Sequence, residues 1–175
     1  KSSEDFAEAQ ARLRQSAIDT GLSLNAQTAN YTQIERSTRS MGLSVQQLSF
    51  LTESFGKAAV VSGADAESFK SAITQLNQGF ASGVVRGQEF NSVAEQAPAI
   101  MEALANGMRG SNKEFDELEK KGILGVAALR KMAAEGKLVN SVTLPALMEG
   151  LKKTNEQFEK MPLTVERAFG MLSNK

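Results

Sequence analysis

The chain reads as an all-α protein, a compact bundle of about seven to nine short helices, and three observations lead there. Helix-type spacing of apolar residues recurs about every twenty residues, and strand-type alternation hardly appears. Glycine and proline stops arrive too often for an apolar heptad to be sustained, which disfavours a continuous coiled-coil rod. Each apolar stripe is narrow, so no helix is stable alone and the faces must be buried against one another. Composition agrees: 41% of the 175 residues are hydrophobic and 23% charged, the balance of an ordinary globular chain of one domain's length.

The elements follow in order. "SSEDFAEAQARLRQSAIDTG" (2–21) opens with serines and acids that suit a helix N-terminus and closes at Gly21. "NAQTANYTQIERSTRSMG" (25–42) is polar, rich in Thr and Ser, and ends at Gly42. Ser44 with Gln47 forms a capping box before Leu48, Leu51, Phe55 and Ala58 at helical spacing. Asp65 caps a helix with Phe69, Ile73, Leu76 and Phe80 on one face, stopping near Gly83. Next, "VVRGQEFNSVAEQAPAIMEALANGM" (84–108) carries the apolar line Phe90, Val93, Ala97, Ile100 and Leu104. A helix through Pro98 would kink, or it ends near Gln96 and restarts with Pro98 in its first turn. Ser111 with Glu114 is a second capping box, opening a charged helix that Gly122 ends. "GVAALRKMAAEG" (125–136) stops at Gly136, and "SVTLPALMEGLKKTNEQFEKM" (141–161) holds Pro145 near its start. Met161-Pro162 then breaks the chain before "LTVERAFGMLSNK". The opening lysine and the unfinished helical pattern at the end predict a piece of a longer polypeptide.

Composition excludes several chemistries. Lysine plus arginine equals aspartate plus glutamate, 20 against 20, with the densest mixed cluster at "KEFDELEKK" (113–121). Nothing forms the basic stripe that nucleic-acid binding requires, so no sequence-specific nucleic-acid contact is expected. No apolar run approaches the ~18 residues of a membrane span, so no membrane insertion by this segment is expected. Cysteine and histidine are absent, which removes thiolate sites, the usual near-neutral acid–base residue and the commonest metal ligand. A hydrolase would have to be built from carboxylates, lysine, serine and the single tyrosine, Tyr31. Glu89 and Glu95, six apart on a helix, lie on nearly opposite faces and cannot converge. Glu95 and Glu102 share a face, but surface glutamates there usually serve solvation. Spacing leaves a Ser–Lys arrangement open, although no serine is read in a Gly-x-Ser-x-Gly elbow or a Ser-x-x-Lys signature. The glycines of "GFASGVVRG" (79–87) lack the Lys-Ser/Thr of a phosphate loop and read as helix stops and a turn. The methionines, among them Met101, Met108, Met132, Met148 and Met161, fall mostly on apolar faces and read as core. No catalytic, cofactor or metal residue is predicted.

One stretch carries more. "QLNQGFASGVVRGQEFNSVAEQAPAIMEALANGM" (75–108) closely resembles the N-terminal domain of tail tape-measure proteins of tailed bacteriophages and prophages. The matching positions include Gln75, Leu76, Gln78, Ala81 and Gly83, then Arg86, Gly87, Gln88, Glu89, Phe90, Asn91, Ser92, Val93, Glu95, Gln96, Ala97 and Pro98. "LRKMAAEGKL" (129–138), with Gly136, and "FEKMPLTVERAF" (158–169), with Met161 and Pro162, resemble two further blocks of that family. The blocks cover about residues 43–175, which are taken as the family domain, with 1–42 as a helical lead-in and 109–123 as an insertion.

The resemblance implies a long helical protein in the lumen of the virion tail. Tail-tube subunits polymerise around it in the host cytoplasm, its length sets that of the tail, and it leaves ahead of the DNA. Implied partners are tail-tube protein, tail-tip or baseplate initiator proteins, tail assembly chaperones and other copies of itself. Two other classes compete: a generic helical protein-binding module, and part of a peptidoglycan-degrading tail protein. A ruler needs a long uninterrupted helix, and the frequent stops predict that residues 1–175 are a compact domain with the ruler proper outside them.

Overall fold

Glycine ends most of the helices here, and the order of the elements follows from that punctuation. The computed structural model describes residues 3–173, apart from the side chains of residues 165 and 166. The Ser2 end of the first expected helix and the last two residues of the final one lie outside the described residues. Among the described residues ten α-helices follow one another: α1 Ser3–Thr20, α2 Leu24–Ser37, α3 Val45–Ser62, α4 Ala66–Ser82, α5 Gly87–Gln96, α6 Pro98–Met108, α7 Lys113–Lys120, α8 Val126–Ala134, α9 Asn140–Glu159 and α10 Val165–Ser173. A 3-10 turn, Arg39–Met41, follows α2. The all-α fold is as expected, with slightly more helices than seven to nine, since 84–108 divides in two. No strand forms among the described residues; Val84 and Val139 make one isolated antiparallel bridge.

Local chemistry explains the boundaries. The Ser44–Gln47 capping box forms with both reciprocal bonds, and Asp65 accepts the Ser68 N–H at 2.7 Å. Ser23, just before the expected start, caps α2 by accepting the Ala26 N–H. The second expected capping box does not form. Asn112 caps α7, accepting the Phe115 N–H at 3.0 Å. Ser111 instead donates back to the Gly107 carbonyl, and Glu114 pairs with Lys137. A serine one residue before an asparagine loses the cap because the asparagine side chain reaches the same N–H groups while the serine can close the preceding turn.

Pro98 resolves as the restart. Ala97, at φ −145° and ψ 66°, is not helical, and Pro98 is the first residue of α6, where its missing N–H is not needed. The Ala99 N–H is satisfied from outside by the Ser62 hydroxyl at the end of α3, 3.0 Å away. Pro145 is a correction. It sits inside α9, past the first turn, so it removes the bond that would run to the Ser141 carbonyl. The side chain lies on the exposed face of α9.

α6 is the centre of the core. Ile100, Met101, Ala103, Leu104 and Met108 are all fully buried, each large side chain contributing about 1.5–3 kcal/mol by leaving water. It packs chiefly on α9, which also lies along α3. The α6–α9 crossing is reciprocal: a Cβ on Gly107 would stand 1.8 Å from the Ala146 carbonyl oxygen, and one on Gly150 would stand 1.7 Å from that of Ala103. The two backbones therefore touch, as only glycine permits. α1 and α2 pack against α3, α2 also against α4, and α10 rests on α1. Phe115 and Leu118 of α7 are buried, so the 109–123 segment contributes to the core.

Candidate functional site

The first two family-like blocks meet in space. The turn after α4 carries Val84 and Val85, and the loop before α9 carries Leu138 and Val139. Val85 donates its N–H to the Leu138 carbonyl at 2.9 Å, and Asn140 donates to the Gly83 carbonyl at 3.0 Å. The Asn140 side-chain amide adds a bond to the Phe80 carbonyl at 2.7 Å. Gly83 and Gly136, at φ 86° and 68°, turn the chain into this junction, a conformation that side chains resist. Above it Arg86, the residue preceding α5, places a guanidinium nitrogen 3.8 Å from where a Cβ of Gly136 would stand. Gly79 is not a stop; it lies within α4, where a Cβ would meet Val85 at 2.9 Å. Gly87 opens α5, so of the three glycines considered for a phosphate loop only Gly83 ends a helix.

The remaining motif residues divide by depth. Phe90 and Val93 are fully buried, whereas Asn91 and Glu95 are exposed. Glu89 is half-buried, with one carboxylate oxygen out of solvent and lacking a hydrogen-bond partner. Gln96 donates to the Ser92 hydroxyl at 3.2 Å while its own carbonyl oxygen is buried and unpaired. Glu95 and Glu102 do not share a helix face: Glu95 belongs to α5 and Glu102 to α6, separated by the break at Ala97.

The third block lies elsewhere. Buried Phe158 is flanked by two cations, with Lys57 Nζ 5.6 Å and the Arg167 guanidinium 4.2 Å from its ring centroid. Arg167 also donates to the Asp19 carbonyl at 2.7 Å, holding α10 against the end of α1. Met161 and Pro162 form the link between α9 and α10, half-buried and exposed respectively. Of the methionines, Met101, Met108 and Met132 are core, while Met148 and Met161 are only partly buried.

Reading the sequence for catalytic serines overlooks Ser54-Phe-Gly-Lys57, which has Ser-x-x-Lys spacing on α3. The structure closes it. Ser54 is fully buried and receives the Asn155 amide at 2.9 Å; Lys57, 7% exposed, is paired with Glu53 at 2.7 Å. With the Ser54 hydroxyl out of solvent and the Lys57 ammonium held by Glu53, the pair is not presented to a substrate. Also unforeseen are two ties around α7. Arg109 grips Glu119 through two nitrogens at 2.9 to 3.1 Å, and the Gly125 N–H bonds the same carboxylate. These hydrogen bonds, from Arg109 first, hold the Glu119 carboxyl below its usual range. Lys137 bridges Glu114 and Glu135, and its ammonium is lifted to about 12 by the hydrogen bonds to Glu114 and then Glu135. Both ties are non-local, so helical periodicity does not signal them.

Among the described residues no group of three or more Asp or Glu side chains converges to hold a metal ion. No helix there is long and apolar enough to cross a membrane. A family model described as "Tape measure protein" matches residues 1–175. No curated protein and no solved structure matches the chain.

Proposed function

The chain belongs to the tape measure protein family, and from that premise we propose that residues 1–175 are a folded module of a phage tail length-determining protein, engaged in assembly rather than in measuring. The family is structural, which agrees with a chain whose polar residues tie helices together instead of converging on a substrate. In this reading the protein lies in the tail lumen while tail-tube subunits polymerise around it in the host cytoplasm. Later it is ejected ahead of the DNA. The module's partners are tail-tube protein, tail-tip or baseplate initiators, assembly chaperones and further copies of the protein. It carries no catalytic role.

The observation that carries the module role is helix length. The longest helix has 20 residues, about 30 Å at a rise of 1.5 Å per residue, and it folds back into the core. In this reading tail length is set by a part of the protein other than this module. Deleting the codons for this 175-residue segment from the full-length gene and measuring tails by electron microscopy tests this. The expected result is few assembled tails, of normal length. Tails shortened by about 260 Å, the full helical length of the segment, would make it part of the ruler instead. Unaltered assembly and length would remove both roles.

A further inference from the structure

α1 and α10 stand apart from the main core. Among the described residues the large hydrophobic cluster draws side chains from α2 to α9 and none from α1 or α10. We propose that α1 is a strap, closed over α3 and latched by α10, that lifts while α2 to α9 stay folded. The inference goes beyond the tail-assembly role and does not depend on it.

The seat of the strap holds little apolar surface. α1 buries Ala9, Leu13 and Ala17 together with Ser16 and Thr20, and Ile18 is only half-buried. Leu13 is thus the one large apolar side chain that α1 buries. Stabilisation by burial scales with the apolar area removed from water, and two alanines add little to it. On α3 the seat runs from Val45, which lines one groove with Ala9 and Leu13, to Gly56, where a Cβ would meet Thr20 and the Gln27 amide.

The polar contacts beneath α1 also favour release. The Gln27 amide of α2 donates to the Ser16 and Thr20 hydroxyls at 3.0 and 3.3 Å, yet its own carbonyl oxygen is buried without a partner. A buried acceptor left unpaired costs free energy. Lifting α1 lets water reach the amide and removes that cost.

α10 supplies the latch. None of its described side chains is buried, and what it grips is the pivot of α1. Arg167 donates to the Asp19 carbonyl at 2.7 Å and stacks on Phe158, so it ties the end of α1 to α9. Gly170 lies so close to the Gly21 backbone that a Cβ there would fall on the Gly21 carbonyl oxygen. Gly21, at φ 74°, begins the turn of residues 21–23 that joins α1 to α2. While α10 is seated this turn cannot swing, so α10 leaves first and α1 follows. Opening in that order uncovers a face of α3 without melting the body beneath it.

The test is native-state hydrogen exchange of the 175-residue chain, read by mass spectrometry. Amides of α1 should exchange at least about tenfold faster than those of α6 and α9, and with less dependence on low urea, because lifting one helix exposes little surface. Arg167→Ala should speed exchange in α1 by a further factor of about ten, the effect of losing a charged hydrogen bond. α1 would still be closed most of the time, and α6 and α9 should keep their rates. Gly170→Ala, which unseats α10 through the backbone, should act in the same way. Exchange of α1 at the rate of α6 and α9 would overturn the proposal by making α1 part of the global unit. So would a variant that unprotects α10 and leaves α1 unchanged, since α10 would then be no latch. Acceleration shared equally by α6 and α9 would overturn it as well.

Discussion

At the scale of single residues the fold is most sensitive where a hydrogen atom is all that fits. Gly107 and Gly150 face the backbones of α9 and α6, with carbonyl oxygens inside any space a methyl group would need. Neither neighbour is a side chain that can swing away. Gly107→Ala or Gly150→Ala should therefore cost at least about 3 kcal/mol, the upper end for overpacking, or prevent folding, as read by urea denaturation. A loss below about 1 kcal/mol would mean the helices separate easily. Glu119 offers a pH-dependent counterpart. Its carboxyl is held below the ordinary 4.5 by Arg109 and then by the Gly125 N–H. Its contribution is thus complete above about pH 4.5 and is lost as pH falls through the lower folded value. Glu119→Gln should lower stability by about 1 kcal/mol at pH 7, the range of a partly exposed pair, with the gap from the parent closing on acidification. A gap that persists at pH 2 would point to packing instead of charge.

Elements differ in how far local rules decide them. The break between α5 and α6 depends on Pro98 and on a hydroxyl from another helix, Ser62. Ser62→Ala should cost about 1 kcal/mol, like the loss of an ordinary N-cap, and should speed amide exchange in the first turn of α6. Unchanged stability would show that water replaces the hydroxyl. The apolar stripes and the glycine stops at Gly21, Gly83 and Gly136 are legible in the sequence because they depend on neighbours three or four residues away, whereas the helix expected to run to Gly42 ends at Ser37, and Gly42 closes only the 3-10 turn that follows. The choice between Ser111 and Asn112 is less legible, since two capping residues stand side by side. Glu95 and Glu102 fall on one face only in a continuous helix, and the break at Ala97 removes that condition. The placement of the Arg86 guanidinium over Gly136 and the bridge between Val84 and Val139 lie beyond local rules. Both join segments far apart in the chain, and no period in either segment encodes the other.

For the whole molecule, helices that fold back on one another imply a radius of gyration near ~16 Å for a chain of this length. Small-angle scattering should return that value, and a rod-like profile would contradict the packing of α9 into α3 and α6. α10 is the least enclosed part. Phe169 is 69% exposed, with Leu163 and Leu172 also in solvent, and the helix is held chiefly through α1. Arg167→Ala removes both the Asp19 and the Phe158 contacts and should free α10 while the remaining helices keep their cooperative melt. Loss of that melt would mean α10 is integral to the core. The small junction of Val84-Val85 with Leu138-Val139 has a temporal meaning as well. Its amides sit in a connecting segment and at the first residue of α9, where exchange with solvent is ordinarily fast. Because Val85 and Asn140 donate across to a distant stretch of chain, their hydrogens can leave only when that stretch detaches. Two loops should therefore keep their deuterium labels as long as the helices they join, making the junction a clock for the opening of the whole fold.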